Sequence, residues 1–219
     1  MKLKKIASLM LAGVMAVSML TACGEGKNET KPEGEGNGEG TTASGYSAML
    51  GEKAADVLKK NDLDKVFTFV DNEDDQDALA KLTVSISDSK LKEWITQNTI
   101  DTLNTKYYGT FQKDADLDRD SLVMTNEFIT VEDALTKKVG EVWVANDAVS
   151  MDYVMDKIYE SCKEAFKNAD KDGEVNKFAV NYNYTVSVSV VNKALESYND
   201  YSGSVNFIAV TVTRTSEFV

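Results

Sequence analysis

The chain has 219 residues, 42% of them hydrophobic and 27% charged, which excludes a wholly disordered polymer, a collagen-like chain and a polytopic membrane protein. Its 36 acidic and 24 basic residues leave a formal charge of -12, a surface that repels phosphate backbones and anionic headgroups, so nucleic acid is not an expected partner. Histidine is absent, which removes His-based acid-base catalysis, Ser-His and Cys-His nucleophile pairs, and His-ligated zinc or haem.

Met1 to Lys5 is short and basic, Ile6 to Met19 is nearly all apolar, and small residues follow, which is the layout of a secretory signal peptide. As a helix, an apolar run of about 15 residues rises only some 22 Å, short of a roughly 30 Å hydrocarbon core. The run closes on Leu20-Thr21-Ala22-Cys23, followed by Gly24. This motif resembles the lipobox of bacterial lipoproteins, over the first 24 residues alone. The resemblance implies cleavage before Cys23 and acylation of its thiol, with palmitate among the chains expected. Membrane lipid then becomes the first partner, and the protein sits on the bacterial cell membrane facing outside the cytoplasm. Each buried acyl CH₂ contributes about 0.8 kcal/mol, so one chain holds marginally and several hold stably. Using Cys23 in this way leaves Cys162 with no partner for an intramolecular disulfide.

Gly24 to Gly45 contains seven of the thirteen glycines, the only proline (Pro32), five glutamates and no large apolar residue. Such a composition buries too little surface to order, so residues 23–45 are expected to form a disordered tether after a signal peptide at 1–22. Its span is on the order of 25 Å. The run Gly34 to Gly40 looks superficially like a phosphate-binding glycine loop, but its glutamates repel phosphate and no strand precedes it.

Residues 46–219 are expected to form one domain. Ser47 to Lys60 has Met49, Leu50, Ala54, Val57 and Leu58 on one helical side, and Val66 to Val70 and Leu82 to Ile86 are strand candidates around an acidic segment. Ser87, Asp88 and Ser89 offer caps to a helix carrying Leu91, Trp94 and Ile95. Tyr107 to Gln112 and Leu122 to Ile129 are expected as strands. Thr130 to Asp133 fits a capping box for a short helix ending near Lys137, Lys138 and Gly140. After a strand at Val142 to Val144, the spacing of Met151, Met155, Ile158, Cys162 and Phe166 predicts a long helix with Cys162 on its buried stripe. A buried cysteine without a charged neighbour is an inert small hydrophobe.

Phe178, Val180, Tyr182, Tyr184, Val186, Val188 and Val190 alternate with small and polar residues, predicting a strand with one buried and one wetted face. Val205 to Thr213 is a second strand whose apolar parity switches between Phe207 and Ile208, the mark of a bulge or of a centre covered on both faces. Turn chemistry at Asn199 to Gly203 joins the two as a hairpin. The expected class is α+β, an antiparallel sheet with a C-terminal hairpin packed against two or three amphipathic helices.

Among groups that could carry chemistry, Asp116, Asp118, Asp120 and Glu127 occupy positions 1, 3, 5 and 12 of a calcium loop of the EF-hand type, with Val123 at position 8 and Ser121 in place of the turn glycine. Ca²⁺ is therefore the one candidate cofactor. A second partial match at Asn168 to Val175 lacks the bidentate acid and reads as a helix end with Gly173 as its left-handed cap. Ser89-Lys90-Leu91-Lys92 matches the Ser-x-x-Lys of penicillin-binding proteins and serine β-lactamases, but their Lys-Thr-Gly is missing. Tyr198 and Tyr201 in the hairpin turn are candidates for stacking on a sugar or docking an envelope protein. The first expectation is a lipid-anchored, non-catalytic module binding an envelope protein or a glycan. The alternatives are a small carboxylate-based cell-wall or glycan hydrolase and a structural or assembly lipoprotein of the envelope.

Overall fold

The structure is a computed structural model that describes residues 45–97, 100–103, 105–118, 135–198 and 201–219. Cys23, the tether up to residue 44, the strand expected at Leu122 to Ile129 and the capping box at Thr130 to Asp133 lie outside the described residues, and Gly45, expected as the end of the tether, begins α1. The elements run α1 (Gly45–Lys60), β1 (Phe67–Phe69), α2 (Glu73–Val84), α3 (Asp88–Gln97), β2 (Ile100–Thr102), α4 (Thr105–Asp114), β3 (Thr136–Asn146), α5 (Met151–Lys167), β4 (Asp172–Val175), β5 (Phe178–Tyr198) and β6 (Tyr201–Phe218). The strands form one sheet in the order β1-β5-β6-β3-β2, with β4 added to β5. All pairings are antiparallel except that of β1 with β5. The class is α+β, and the C-terminal hairpin packs against helices as expected.

The hairpin β5-β6 forms the centre. Val180, Tyr182, Tyr184, Val186 and Val188 of β5, with Ile208, Val210 and Val212 of β6, meet α1 and α5 in one core. Val205, Phe207 and Ala209 meet α2, α3 and α4 in a second. The parity switch at Phe207 and Ile208 is thus a strand covered on both faces, with unbroken register there; the pairing irregularity falls instead between Leu195 and Tyr198. The face of β5 expected to be wetted is so only at its start. Ser187 and Ser189 are buried.

Two segments expected as strands are helical, and each carries a period that explains it. Leu82 to Val84 ends α2, which begins in the acidic segment, where the Asn72 side chain accepts the N–H groups of Asp74 and Asp75. Three acids in the first turn and Lys81 in the last suit the helix dipole, and Ala78, Leu79, Leu82 and Thr83 form the buried stripe. Tyr107 to Gln112 lies in α4, whose buried Tyr108 and Phe111, with Ala115 just past its end, follow one another at spacings of three and four. The converse holds at Lys137, Lys138 and Gly140, expected as a helix end. They lie in β3, because pairing with β6 from Thr136 with Thr215 to Asn146 with Val205 outweighs local charge pattern. Gly173 is no left-handed cap either. It sits in β4, and a Cβ there would run into the Tyr182 ring. Tyr201, Ser202 and Gly203, expected as turn, begin β6, with Gly203 at a φ of 149° against Ile95.

The outer edge of β5 is closed residue by residue. Tyr182 N–H donates to Lys171 O (2.8 Å), Tyr184 N–H to Val66 O (2.7 Å), and Val186 O accepts from Val70 N–H (3.0 Å). Beyond β1, Ser47 Oγ accepts from Val188 N–H (3.0 Å) and donates to Asp71 (2.8 Å). The Gln76 amide then bonds both N–H and C=O of Val190, at 3.2 and 3.0 Å, as a strand would. Lys193 Nζ donates to the carbonyls of Thr83 and Ile86 at the end of α2. Ser47→Ala strips Val188 N–H of its partner in a fully buried place, and is expected to cost about 1–3 kcal/mol. Thermal denaturation of the variant checks this, at roughly 2–4 °C per kcal/mol for a domain of this size.

Candidate functional site

Helix α5 starts at Ser150, whose hydroxyl accepts Tyr153 N–H (3.4 Å). Its buried stripe of Val154, Met155, Ile158, Cys162, Ala165 and Phe166 locks it onto the sheet. This orientation aims Tyr153, Lys157, Glu160 and Ser161, at i, i+4, i+7 and i+8, along a neighbouring face toward the last strand of the sheet, β2. Between α5 and β2 lies an open groove of about 820 Å³. Ile100, Trp143 and Val149 give it an apolar floor, and Asp101, Thr102 and the α5 side chains give it a polar rim. Trp143 is almost fully buried, whereas Tyr153 is half exposed with Lys157 Nζ 5.3 Å from its ring centre. Glu160 faces Lys163 at 3.2 Å.

A smaller cavity of about 310 Å³ lies between the start of α2 and the end of α4, bordered by Asp74, Asp77, Asp114, Asp116, Lys81 and Lys138. Beneath it runs a buried polar link. Asp75 is fully buried, with one carboxylate oxygen on Lys138 Nζ (2.5 Å) and the other accepting from Thr211 Oγ1 (2.5 Å). Lys138 thereby crosses from β3 to the first turn of α2. On the other face of the sheet Lys137, Glu141 and Arg214 are also buried, and Arg214 lies 4.3 Å over the Tyr182 ring.

Of the calcium-loop residues, Asp116 and Asp118 are described, while Asp120 and Glu127 lie outside the described residues. Asp116 is exposed, at a φ of 55°, and borders the smaller cavity. Asp118 is committed to β3: its carboxylate accepts Lys138 N–H (2.8 Å) and stands 3.9 Å from Lys137 Nζ, and its own N–H donates to Lys138 O (3.0 Å). Among the described residues no group of three or more His, Cys, Asp or Glu is placed to hold a metal ion. Tyr201 pairs with Tyr198 across the hairpin end, but its ring face is covered by Lys92 Nζ at 3.9 Å. Tyr201 does not line the groove. The groove passed unread in the sequence because its walls come from segments some 50 residues apart; its one local sign was Tyr153 and Lys157 on the wet side of a helix.

Cys162 is buried against the sheet, and burial with the nearby Glu141 charge pushes its thiol from 9.0 up to about 12. Burial likewise raises the Tyr184 hydroxyl from 10.0 to about 12 and pushes that of Tyr108 up. Comparison with protein-family models, curated proteins and solved structures finds no match to this chain.

Two outcomes follow from these buried groups. Asp75→Ala leaves the half-buried Lys138 ammonium without its carboxylate and the Thr211 hydroxyl without its acceptor, and is expected to cost about 1–3 kcal/mol, part of it recovered when Lys138→Met is added; chemical denaturation of the two variants measures both. The raised acids keep their protons in the folded state after the unfolded chain has lost them. Stability is therefore full below pH 9 and falls toward pH 12, and in Cys162→Ala the fall should begin nearer pH 10, as read from melting temperature against pH.

Proposed function

We propose that the protein is a membrane-tethered, extracytoplasmic module that binds its partner in the groove between β2 and α5 and performs no chemistry on it. The groove carries this reading: its volume falls within the roughly 300–1,000 Å³ of ligand sites, and it joins an apolar aromatic floor to a few polar groups. The motif Leu20-Thr21-Ala22-Cys23 supports the tether, with acylated Cys23 held in the outer leaflet of the bacterial cell membrane. Calcium is left out of this reading, because the Asp118 carboxylate is already engaged by Lys137 and Lys138. The hydrolase alternative needs two carboxylates bracketing one bond. Asp101 and Glu160 both border the groove, but Glu160 is turned to Lys163. The assembly alternative through Tyr198 and Tyr201 is disfavoured by Lys92 covering the Tyr201 ring.

In bacterial cells the full chain is expected in the membrane fraction, carrying labelled palmitate, and Cys23→Ser is expected in the soluble fraction without label. A wild-type chain that takes up no acyl group would remove the tether. Tyr153→Ala, at a half-exposed position, should leave the melting temperature within about 2 °C while weakening partner binding, which separates a binding role from a packing one.

A further inference from the structure

We infer that β2 is an acceptor edge, on which an extended, net cationic peptide segment of a partner protein adds as a further strand and lays alternate side chains into the groove against α5. The inference rests on the groove being the binding site, and it names the partner class and the mode.

Its first ground is the phase of the β2-β3 ladder. Leu103 N–H donates to Val142 O (2.8 Å), and the register pairs Asp101 with Val144 and Thr102 with Trp143. In an antiparallel pair the exchanging residues alternate. Asp101 therefore turns its backbone groups to β3, and Ile100 and Thr102 turn theirs outward. Those four groups point away from β3 at the end of the sheet order, and both residues line the groove.

The second ground is the contrast with the outward groups of β3 and of the middle of β5. On β3, whose even-numbered residues face outward, Asp118 takes both backbone groups of Lys138, Tyr108 Oη donates to Gly140 O (2.8 Å), and Leu103 takes Val142 O. On β5 the same service is done by Lys171, β1, Ser47 and Gln76. β2 instead joins an outward backbone phase to an open groove. A groove bounded by an edge strand and a helix is the geometry in which peptides add as strands, with backbone bonds for affinity and pockets for specificity.

The groove also fits the side chains such a strand would bring. Ile100 packs with the α1/α5 core, so Thr102, two residues on, faces the same side; incoming residues two apart fall about 7 Å from one another along Ile100, Trp143 and Tyr153. Within the groove Asp101 and Lys157 balance once Glu160 is paired with Lys163, so the preference for a cationic segment comes from the chain's formal charge of -12.

The test is isothermal titration of the detergent-solubilised full chain with the heptapeptide Lys-Val-Lys-Val-Lys-Val-Lys, with the same peptide N-methylated at alternate peptide nitrogens, and with a tetramer of N-acetylglucosamine. Thr102→Pro removes one outward N–H without touching the ladder, since only Asp101 and Leu103 bond β3, and an edge strand tolerates it. We expect saturable binding of the heptapeptide, weakened about tenfold or more by N-methylation or by Thr102→Pro, and changed less than about threefold by Thr102→Ala. Melting curves establish that both variants fold. Equal binding of the N-methylated peptide, or by Thr102→Pro, overturns strand addition. Saccharide binding in place of the peptide also overturns it, while leaving the groove as the site; binding of neither probe overturns both readings. Concentration-dependent self-association abolished by Thr102→Pro and blocking the peptide overturns it in favour of a second copy of the chain.

Discussion

Strand β6 is buried on both faces from Val205 to Val212 and paired on both sides, to β5 and to β3. A polypeptide strand carries one donor and one acceptor per residue, and burying these unpaired costs more than most side-chain contacts return. This constraint organises the rest of the molecule. The hairpin needs a helical layer on each face, hence α1 and α5 on one side and α2, α3 and α4 on the other. Its flanks need partners wherever a helix comes close enough to exclude water. The short β1, the Ser47 hydroxyl and the Gln76 amide serve one after another along β5 because no single long strand is present to do so.

Buried charge follows the same logic on the opposite flank. Lys138 holds its backbone to Asp118 and its ammonium to Asp75, so one residue of β3 ties the start of α2 and the segment after α4 to the sheet. Such a pair is weak as a net source of stability, since desolvating both ions offsets most of their attraction. Its value is positional. An apolar α2 could slide along the sheet, whereas Asp75 has Lys138 and Thr211 as partners at one register.

The hairpin was legible in the sequence because its two-residue alternation runs without interruption from Val180 to Val188, and the double burial of β6 showed as a parity change. Helices α1 and α5 were legible from their spacing. What failed had a common cause: short apolar runs read by composition rather than by the elements that receive them. Leu82-Thr83-Val84 is β-rich locally, yet it completes a helix begun at Asn72. The Lys137-Lys138 pair suits a helix end by charge, yet β6 offers it a ladder. Of the candidate sites, Asp118 had the spacing of a metal ligand, but spacing cannot reveal that a backbone N–H twenty residues on would occupy the same oxygen. The groove had no contiguous signature at all, being assembled from β2, β3 and α5.

The edge of the sheet brings these strands of argument together. An open strand edge is a liability that proteins blunt by shortness, charge or cover. Here outward groups of β5 and β3 find partners that include two side chains buried almost completely, Ser47 and Tyr108. β2 is blunted, among the described residues, by its length of three residues and by the exposed Asp101. Those devices limit promiscuous pairing without filling the site, because a three-residue edge offers too few backbone bonds to hold a partner alone. Affinity must then come from the groove alongside, where Trp143 is fixed by the core and Tyr153 by the turn of α5 capped at Ser150. Specificity in such a site lies in the side chains that reach the groove, and the short edge makes their fit a condition of binding.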